Sequence, residues 1–431
     1  MRNFFKTYKG GFYYLKSKFL FLICVLIIFR IGSFIPIQGI NISFSNNFFL
    51  KKNNGNIFEM LNIFSGGGFS HISIFSLGLI PYISSSIFVQ IINFIYPNLI
   101  IKNKYSLNYE NRLNQIIRYF TFLFSIIQSI VIIINLNKIY EFNNLTLNKN
   151  IIFYLITLIS LITGSIILMW LGEKITKSGI CNGISIIICS GILIGFPSSI
   201  NTILLNKQFY NFIFLKFCFF LIFLFSIIYF IIFIECSQRR IFVNYKNNQN
   251  KRKFYINQNI YLPLKINISG VIPLIFSTSI LLFIINLLLF LVEKFNNFLI
   301  IKNLIFYLQP GKIFYIILYI NFIILFNFLS IPLFFNSKKT ANNLKKSGGF
   351  IYGIRPGERT ANYINNIILR LNNLSSIYII IICLVPEMFN KIIKIPFYLS
   401  STSLLIITLV IIEFITKVQT LLMSKQYNFI F

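Results

Sequence analysis

The side chains that carry acid–base, nucleophilic or metal chemistry are scarce in this chain. Its 431 residues include nine acidic side chains, all glutamate, together with one histidine and six cysteines. There is no H-E-x-x-H pair, no G-x-S-x-G elbow and no phosphate-binding Gly-Lys-Ser or Gly-Lys-Thr sequence. The cysteines lack the spacing of metal ligands. We therefore expect no catalytic residue, no metal site and no cofactor, so an enzyme is a weak alternative.

Positive charge is the chemistry that the chain has in excess. It has 39 lysine and arginine residues and a formal net charge of +30. Two segments, 235–265 and 335–361, carry much of it, and such runs attract the phosphates of RNA or of lipid headgroups. A bias toward AT-rich codons explains part of the excess, because Ile, Asn, Phe and Tyr are also abundant. The two segments are therefore either docking surfaces or plain solvated loops.

Apolar runs dominate the rest of the sequence. Apolar residues supply 56% of the chain and charged residues 11%, and the mean hydropathy is +0.78. Soluble domains, by contrast, are about one quarter charged. Many of the runs approach the roughly 20 residues that cross a bilayer as a helix. They predict an all-α, multi-pass membrane protein with ten spans, at 19–37, 73–97, 117–136, 151–171, 183–203, 211–234, 268–292, 313–335, 365–386 and 398–421.

The basic residues also predict which side each loop faces. The N-terminus, the loops that follow even-numbered spans and the C-terminal tail hold most of the lysine and arginine. Because the cytosolic loops of membrane proteins are enriched in both residues, we expect both termini to be cytoplasmic.

A short sequence recurs in the second and seventh spans. It reads GLIPYISSS at 78–86 and GVIPLIFST at 270–278, so that Gly, Ile, Pro, Ile and Ser recur in register. The copies lie five spans apart, so the second half must enter the membrane from the opposite side. Inverted repeats of this kind build a pathway at their interface, often with broken helices, and Pro81 and Pro273 fit that role. The repeat predicts a transporter or a channel, with chance similarity as the alternative.

A series of distinctive motifs runs along nearly the whole chain. They are FRIGSFIPI (29–37), FSGGG (64–68), SIFSLGLIPYI (73–83), MWLGE (169–173), NGISIII (182–188), LPLKIN (262–267), NLKKSG (343–348), GIRPGERT (353–360) and VQTLLMS (418–424). In number, order and spacing these motifs resemble the SecY family, the central subunits of bacterial Sec protein translocases. The resemblance favours a protein-conducting channel over a small-solute secondary transporter, which would need more charge within its spans than Arg30, Lys216 and Arg370 supply.

The resemblance implies ten helices in two pseudo-symmetric, inverted five-helix halves around a central pore. The expected boundaries are 1–203 for the N-terminal half with spans 1–5, 204–265 for the sixth span and its basic loop, and 266–431 for the rest of the C-terminal half. A plug is expected at about 57–69 and a second basic loop at about 335–361. The chain is then expected to pass unfolded secretory polypeptides across the membrane and to release apolar helices sideways into lipid.

Three groups of residues within the spans acquire roles by this resemblance. An aliphatic ring at the waist would seal around the translocating chain, a plug with a glycine hinge would block the external funnel, and polar residues would latch a lateral gate. For Ser84, hydrogen bonding within its own helix is the alternative. The ring is Leu79, Ile83, Ile184, Ile188, Ile275 and Ile406; the plug and hinge are Phe64, Ser65, Gly66, Gly67 and Gly68; the gate is Ser84, Gln128 and Asn267.

The resemblance also assigns partners and a compartment. Expected partners are SecE-like and SecG-like subunits, a SecA-like motor ATPase, the ribosome and its RNA, signal-bearing substrate polypeptides and membrane lipid. The expected location is the bacterial inner membrane, with an organelle of bacterial origin as the weaker alternative. The docking residues would be Arg239, Arg240, Lys345, Lys346, Arg355 and Glu358.

Overall fold

Long apolar helices make up most of the chain that the structure describes. The structure is a computed structural model, and it describes residues 2–38, 62, 65–69, 71–96, 107–137, 151–179, 181–205, 213–245, 261–294, 304–308, 312–393 and 401–430. The named helices are α1 Arg2–Phe34, α2 Ile80–Ile95, α3 Leu107–Asn137, α4 Ile151–Ser178, α5 Gly183–Leu205, α6 Ile213–Cys236, α7 Ile272–Lys294, α8 Ile313–Phe334, α9 Ser337–Lys346, α10 Glu358–Ile393 and α11 Ser401–Ile430.

Every predicted span corresponds to one of these helices. Within the described ranges, six helical stretches are long and apolar enough to cross a membrane, and four shorter apolar helices accompany them. Many large apolar side chains point outward from the bundle, such as Ile151, Ile222 and Phe225. Water would penalise so much exposed apolar surface, whereas hydrocarbon does not. The helices are therefore built for lipid on their outer faces.

Equivalent helices pack in the same way in the two halves. In the N-terminal half α2 packs on α3, α3 on α4 and α4 on α5; in the C-terminal half α7 packs on α8, α8 on α10 and α10 on α11. Between the halves, α2 meets α7 and α5 meets α11. Each of these last two pairs consists of equivalent helices, as a two-fold axis between inverted repeats requires.

The repeated sequence folds as a glycine turn followed by a helix in both halves. Gly78 and Gly270 have φ angles of 57° and 62°, in the left-handed region that only glycine adopts without strain. Pro81 and Pro273 then lie in the first turns of α2 and α7, where the missing N–H costs no hydrogen bond. The prolines therefore begin their helices instead of breaking them. The predicted spans began too early, at 73 and 268, because the residues just before α2 and α7 form turns and not helix.

The two basic segments fold together at one end of the C-terminal half. Strand β1 (Gln238–Phe242) pairs with β3 (Tyr261–Lys265), and β2 (Asn244–Tyr245) pairs with β4 (Gly349–Phe350), all antiparallel. The β2–β4 pair hydrogen-bonds the first basic segment to the second. We call the four strands and α9 the basic platform. It covers an apolar cluster of Ile241, Leu264, Ile331, Ile351, Ile364, Ile368 and Leu371.

A glycine in α4 allows an unusually close approach to the chain before α2. A Cβ at Gly164 would lie 2.1 Å from the carbonyl oxygen of Ile74, whereas one at Gly195 in α5 would meet nothing within 4 Å. We expect Gly164→Ala to lower the free energy of unfolding by about 1–3 kcal/mol through overpacking. Gly195→Ala should raise it by about 0.5–1 kcal/mol, because alanine is the better helix former.

Thermal unfolding of both variants, followed by intrinsic fluorescence in the same detergent, measures the difference. Equal midpoints for Gly164→Ala and Gly195→Ala would contradict the close approach of α4 to Ile74.

Candidate functional site

The six predicted ring residues belong to one apolar cluster in the middle of the bundle. Five are buried within it, and the sixth, Ile184, is partly buried and packs against it. The cluster is larger than the ring and also draws side chains from α1, α4, α6, α8 and α10. The structure thus brings together aliphatic side chains from α2, α5, α7 and α11 and from the turn before α2.

The two repeats position their ring residues in the same way. The Ile83 N–H donates to the Leu79 carbonyl oxygen at 3.0 Å, and the Ile275 N–H donates to the Val271 carbonyl oxygen at 3.2 Å. Both bonds belong to the first turn after a left-handed glycine. Each isoleucine is therefore held at a fixed distance from a turn, and the two turns lie in helices that pack on each other.

The glycine run that was predicted as a hinge forms a buried, hydrogen-bonded turn. The Ser65 Oγ accepts from the Phe69 N–H at 3.0 Å, and the Gly67 N–H donates to the Asn62 carbonyl oxygen at 2.9 Å. A Cβ at Gly66 would meet the Phe29 ring of α1 at 2.8 Å. Glycine is thus needed here for close packing as well as for its positive φ. Phe64 and most of the predicted plug lie outside the described residues.

The three predicted gate residues do not hydrogen-bond to one another. Ser84 donates to carbonyl oxygens of its own helix, those of Ile80 and Pro81, each at 3.0 Å. Gln128 on α3 is buried and its Nε2 has no partner. Asn267 donates to Glu235 Oε1 at 2.7 Å. The alternative for Ser84, bonding within its helix, is the arrangement found.

Asn267 belongs to a buried polar network that the sequence did not reveal. Glu235, Asn327, Ser375 and Tyr378 are all buried and lie on α6, α8 and α10. They occur in an Asn-rich sequence where single asparagines attract no notice. A glutamate at the end of an apolar helix was the one available signal, since buried charge is costly and rarely without purpose.

A shallow, narrow cleft lies where α2 faces α7 and α8. Its walls are apolar apart from Gln90 and Ser330. Because α2 belongs to one half and α7 and α8 to the other, the cleft marks a seam between the halves. Its remaining lining residues are Ile87, Ile91, Phe94, Phe276, Phe326 and Leu329.

The six predicted docking residues are exposed on the basic platform and at the start of α10. Arg239 and Arg240 stand on β1, and the Arg240 guanidinium lies 4.9 Å from the centre of the Tyr261 ring on β3. Lys345 and Lys346 end α9, and Glu358 begins α10. Arg355 precedes α10 in the same surface turn. The pairing of β2 with β4 places these groups on one folded unit.

The residues whose side chains are described form no disulfide and no metal-binding group. None of the five cysteines whose side chains the structure describes, among them Cys181, forms a disulfide. Burial, with a smaller contribution from Glu413, raises the pKa of Cys181 to about 12, so this thiol stays protonated at neutral pH. No group of His, Cys, Asp or Glu in the described ranges is arranged to hold a metal ion.

Comparison with known proteins identifies the family. Residues 73–415 match the sequence profile of SecY. Protein translocase subunit SecY of Escherichia coli strain K12 is 44% identical over 425 residues, which cover 98% of this chain and 95% of that protein. The same subunit of Buchnera aphidicola subsp. Schizaphis graminum is 46% identical over 425 residues, covering 98% and 96%. The chain belongs to the SecY family.

Solved channel structures share the fold of this SecY-family chain. One, described as a protein conducting channel, superposes with a TM-score of 0.66 at 16% identity, covering 94% of this chain and 91% of that chain. Sec61 in the canine ribosome–channel complex from the endoplasmic reticulum gives 0.62 at 16% identity, covering 95% and 92%. The predicted ten-helix architecture of two inverted halves is confirmed. Family membership makes the chain a protein-conducting channel subunit and not an enzyme or a small-solute transporter.

The unpartnered amide of Gln128 gives a prediction for stability. Burying an amide without a partner costs about 1–3 kcal/mol, and methionine has a similar length without that cost. We expect Gln128→Met to raise the thermal unfolding midpoint in detergent. Gln115→Met, at an exposed position of the same helix, should leave the midpoint unchanged. A lower midpoint for Gln128→Met would mean that Nε2 has a partner in the folded channel.

Proposed function

We propose that Leu79, Ile83, Ile184, Ile188, Ile275 and Ile406 form the seal of the channel, closing around the polypeptide in transit. The strongest support is that Ile83 and Ile275 occupy matching positions in two repeats whose helices meet. A narrow apolar collar excludes ions because water gains too few hydrogen bonds inside it. Aliphatic side chains also deform around substrates of many sizes. The seal is thus suited to a pore that must pass every side chain.

The glycine turn is proposed to seat the plug on the external side of the seal. Phe64, Ser65 and Gly66 to Gly68 would hold it closed at rest, and displacement of the plug would break the hydrogen bonds to Ser65 and Asn62. The close approach of Gly66 to the Phe29 ring of α1 supports a well-packed seat.

The lateral gate is proposed to lie between α2 and α3 on one side and α7 and α8 on the other, with Ser84, Gln128 and Asn267 as its polar residues. Among the described residues, Gln128 Nε2 has no partner. A polar group at bilayer depth that has no partner favours any rearrangement that supplies one. Gln128 would therefore lower the cost of parting the helices when an apolar signal helix enters the cleft and passes sideways into lipid.

The basic platform is proposed to dock partners on the cytosolic side. Relatives include a Sec61 channel solved in a ribosome complex and the yeast Ssh1 complex on the 80S ribosome, and exposed arginine and lysine suit ribosomal RNA. A SecA-like motor would bind the same surface, and SecE-like and SecG-like subunits would pack on the outer helices. Both termini and the platform would then face the cytoplasm of a bacterium, as the distribution of basic residues favours.

The seal can be tested by making it polar. Replacing Ile83 and Ile275 together by serine should hydrate the constriction and raise the resting ion conductance in planar bilayers by about tenfold. It should also admit substrates with defective signal sequences. The matched control is Ile159→Ser with Ile222→Ser, two exposed isoleucines on α4 and α6. If the control pair leaks as much as the ring pair, the seal does not run through Ile83 and Ile275.

The docking surface can be tested by reversing the charge of Arg355, in the turn beside the platform. Arg355→Glu should leave the channel assembled but reduce export of a secreted reporter by about tenfold, because attraction to an acidic partner becomes repulsion. Lys177→Glu makes the same charge change at an exposed position of α4, away from the platform, and should leave export unchanged. Normal export at normal abundance of the Arg355→Glu channel would remove Arg355 from the docking site.

A further inference from the structure

Buried hydrogen bonds join four elements of the C-terminal half. Glu235 Oε1 accepts from Asn267 Nδ2 at 2.7 Å and from the Tyr378 hydroxyl at 3.3 Å. Ser269 Oγ lies 3.2 Å from Asn267 Oδ1 and 2.6 Å from Asn327 Oδ1, so its single proton serves both acceptors. Asn327 Nδ2 donates to Ser375 Oγ at 2.8 Å. We call these residues the polar brace: Glu235, Asn267, Ser269, Asn327, Ser375 and Tyr378.

The brace is deeply buried and chemically specific. No member is more than 6% exposed. A buried polar group that loses its partner is costly, so the helices that carry the brace have one arrangement in which all these bonds are made. A shift of α8 or α10 by even 1 Å would stretch several of them beyond hydrogen-bond distance. The brace therefore favours a single register of α6, α8 and α10 around the segment before α7.

The part of the chain that the brace holds is the turn that begins α7. Asn267 Oδ1 accepts from the Gly270 N–H at 3.0 Å, and Asn267 Nδ2 lies 3.3 Å from the Gly270 carbonyl oxygen. Gly270 carries the left-handed φ, and Val271 accepts the first-turn bond of Ile275. Four residues thus separate Gly270 from Ile275, and the first-turn bond from Ile275 to Val271 holds that short segment in helical geometry.

Among the described residues, no such brace secures the corresponding turn of the first half. Near Gly78 the hydroxyls of Ser73 and Ser76 are buried and have no partner within those residues. The turn is held by backbone bonds, such as the Gly78 N–H to the Phe75 carbonyl oxygen at 2.9 Å. The two halves share their backbone design here but differ in the side chains that secure it. Side-chain control of the turn is confined to α7.

The brace also lies directly beneath the basic platform. Strand β3 ends at Lys265, two residues before Asn267, and α10 carries both Ser375 and the platform contacts Ile364 and Ile368. A displacement of the platform therefore acts on both ends of the brace.

We propose that the polar brace sets the position at which α7 begins and thereby the place of Ile275 in the seal. Ser269 and Asn327 are then positioning residues of the channel. The proposal rests on the assignment of Ile275 to the seal.

The test compares one serine from each half of the protein, Ser269 and Ser76. Ser269→Ala removes the shared hydroxyl with little change in volume, and Ser269→Thr keeps it. Ser76→Ala removes a buried hydroxyl that has no partner in the other half and is the control. All three are made in full-length chain with Ile83→Cys and Ile275→Cys and with the native cysteines replaced by serine. Nitroxide spin labels at 83 and 275 then report the distance between the two helix starts.

Ser269→Ala should broaden the distance distribution about twofold, and Ser269→Thr and Ser76→Ala should keep the original width. An unchanged width for Ser269→Ala would overturn the proposal, as would equal broadening by Ser76→Ala. The resting conductance of Ser269→Ala, with native Ile83 and Ile275, separates this proposal from the seal assignment. Broadening with a conductance about threefold above the unmodified channel supports both. Broadening with unchanged conductance supports the brace and places the seal elsewhere.

Discussion

Backbone polar groups inside a bilayer must be satisfied by the protein itself, and this constraint shapes the rest of the molecule. Most of the chain meets it by forming helices. The exceptions in the described ranges that matter most are the turns at Gly78 and Gly270, where the backbone leaves helical geometry within the bundle. Both turns lie against other helices and bond internally, so the irregular backbone never meets lipid. The repeated sequence is in this sense a device for starting a helix in the interior.

The proposed seal depends on where those turns lie. Since α2 and α7 begin inside the bundle and pack on each other, their first-turn isoleucines point into the contact between the halves. Inversion adds symmetry, because each half presents the same turn from the opposite direction. The proposed seal would therefore draw residues from both halves.

The sequence predicted the ten helices, the repeat and the family, because apolar length and dense motifs survive compositional drift. It did not predict where α2 and α7 begin, since an apolar run reads the same whether it is a helix or a turn buried in protein. The hydrogen-bond partners of the proposed gate residues were harder to predict. Ser84 has acceptors one turn away in its own helix, and these are reached without any second helix. Glu235 and Tyr378 lie 143 residues apart, and in a chain so rich in asparagine nothing distinguished Asn267 and Asn327 as their partners. The part of the plug before Ser65, except Asn62, lies outside the described residues.

The pairing of β2 with β4 has a mechanical consequence. It joins the two basic segments into one folded unit, the basic platform. The apolar cluster beneath the platform draws all its members from the C-terminal half. In the proposed docking, a partner bound to the platform would therefore push on one half of the channel alone, because the platform and the cluster beneath it belong to that half.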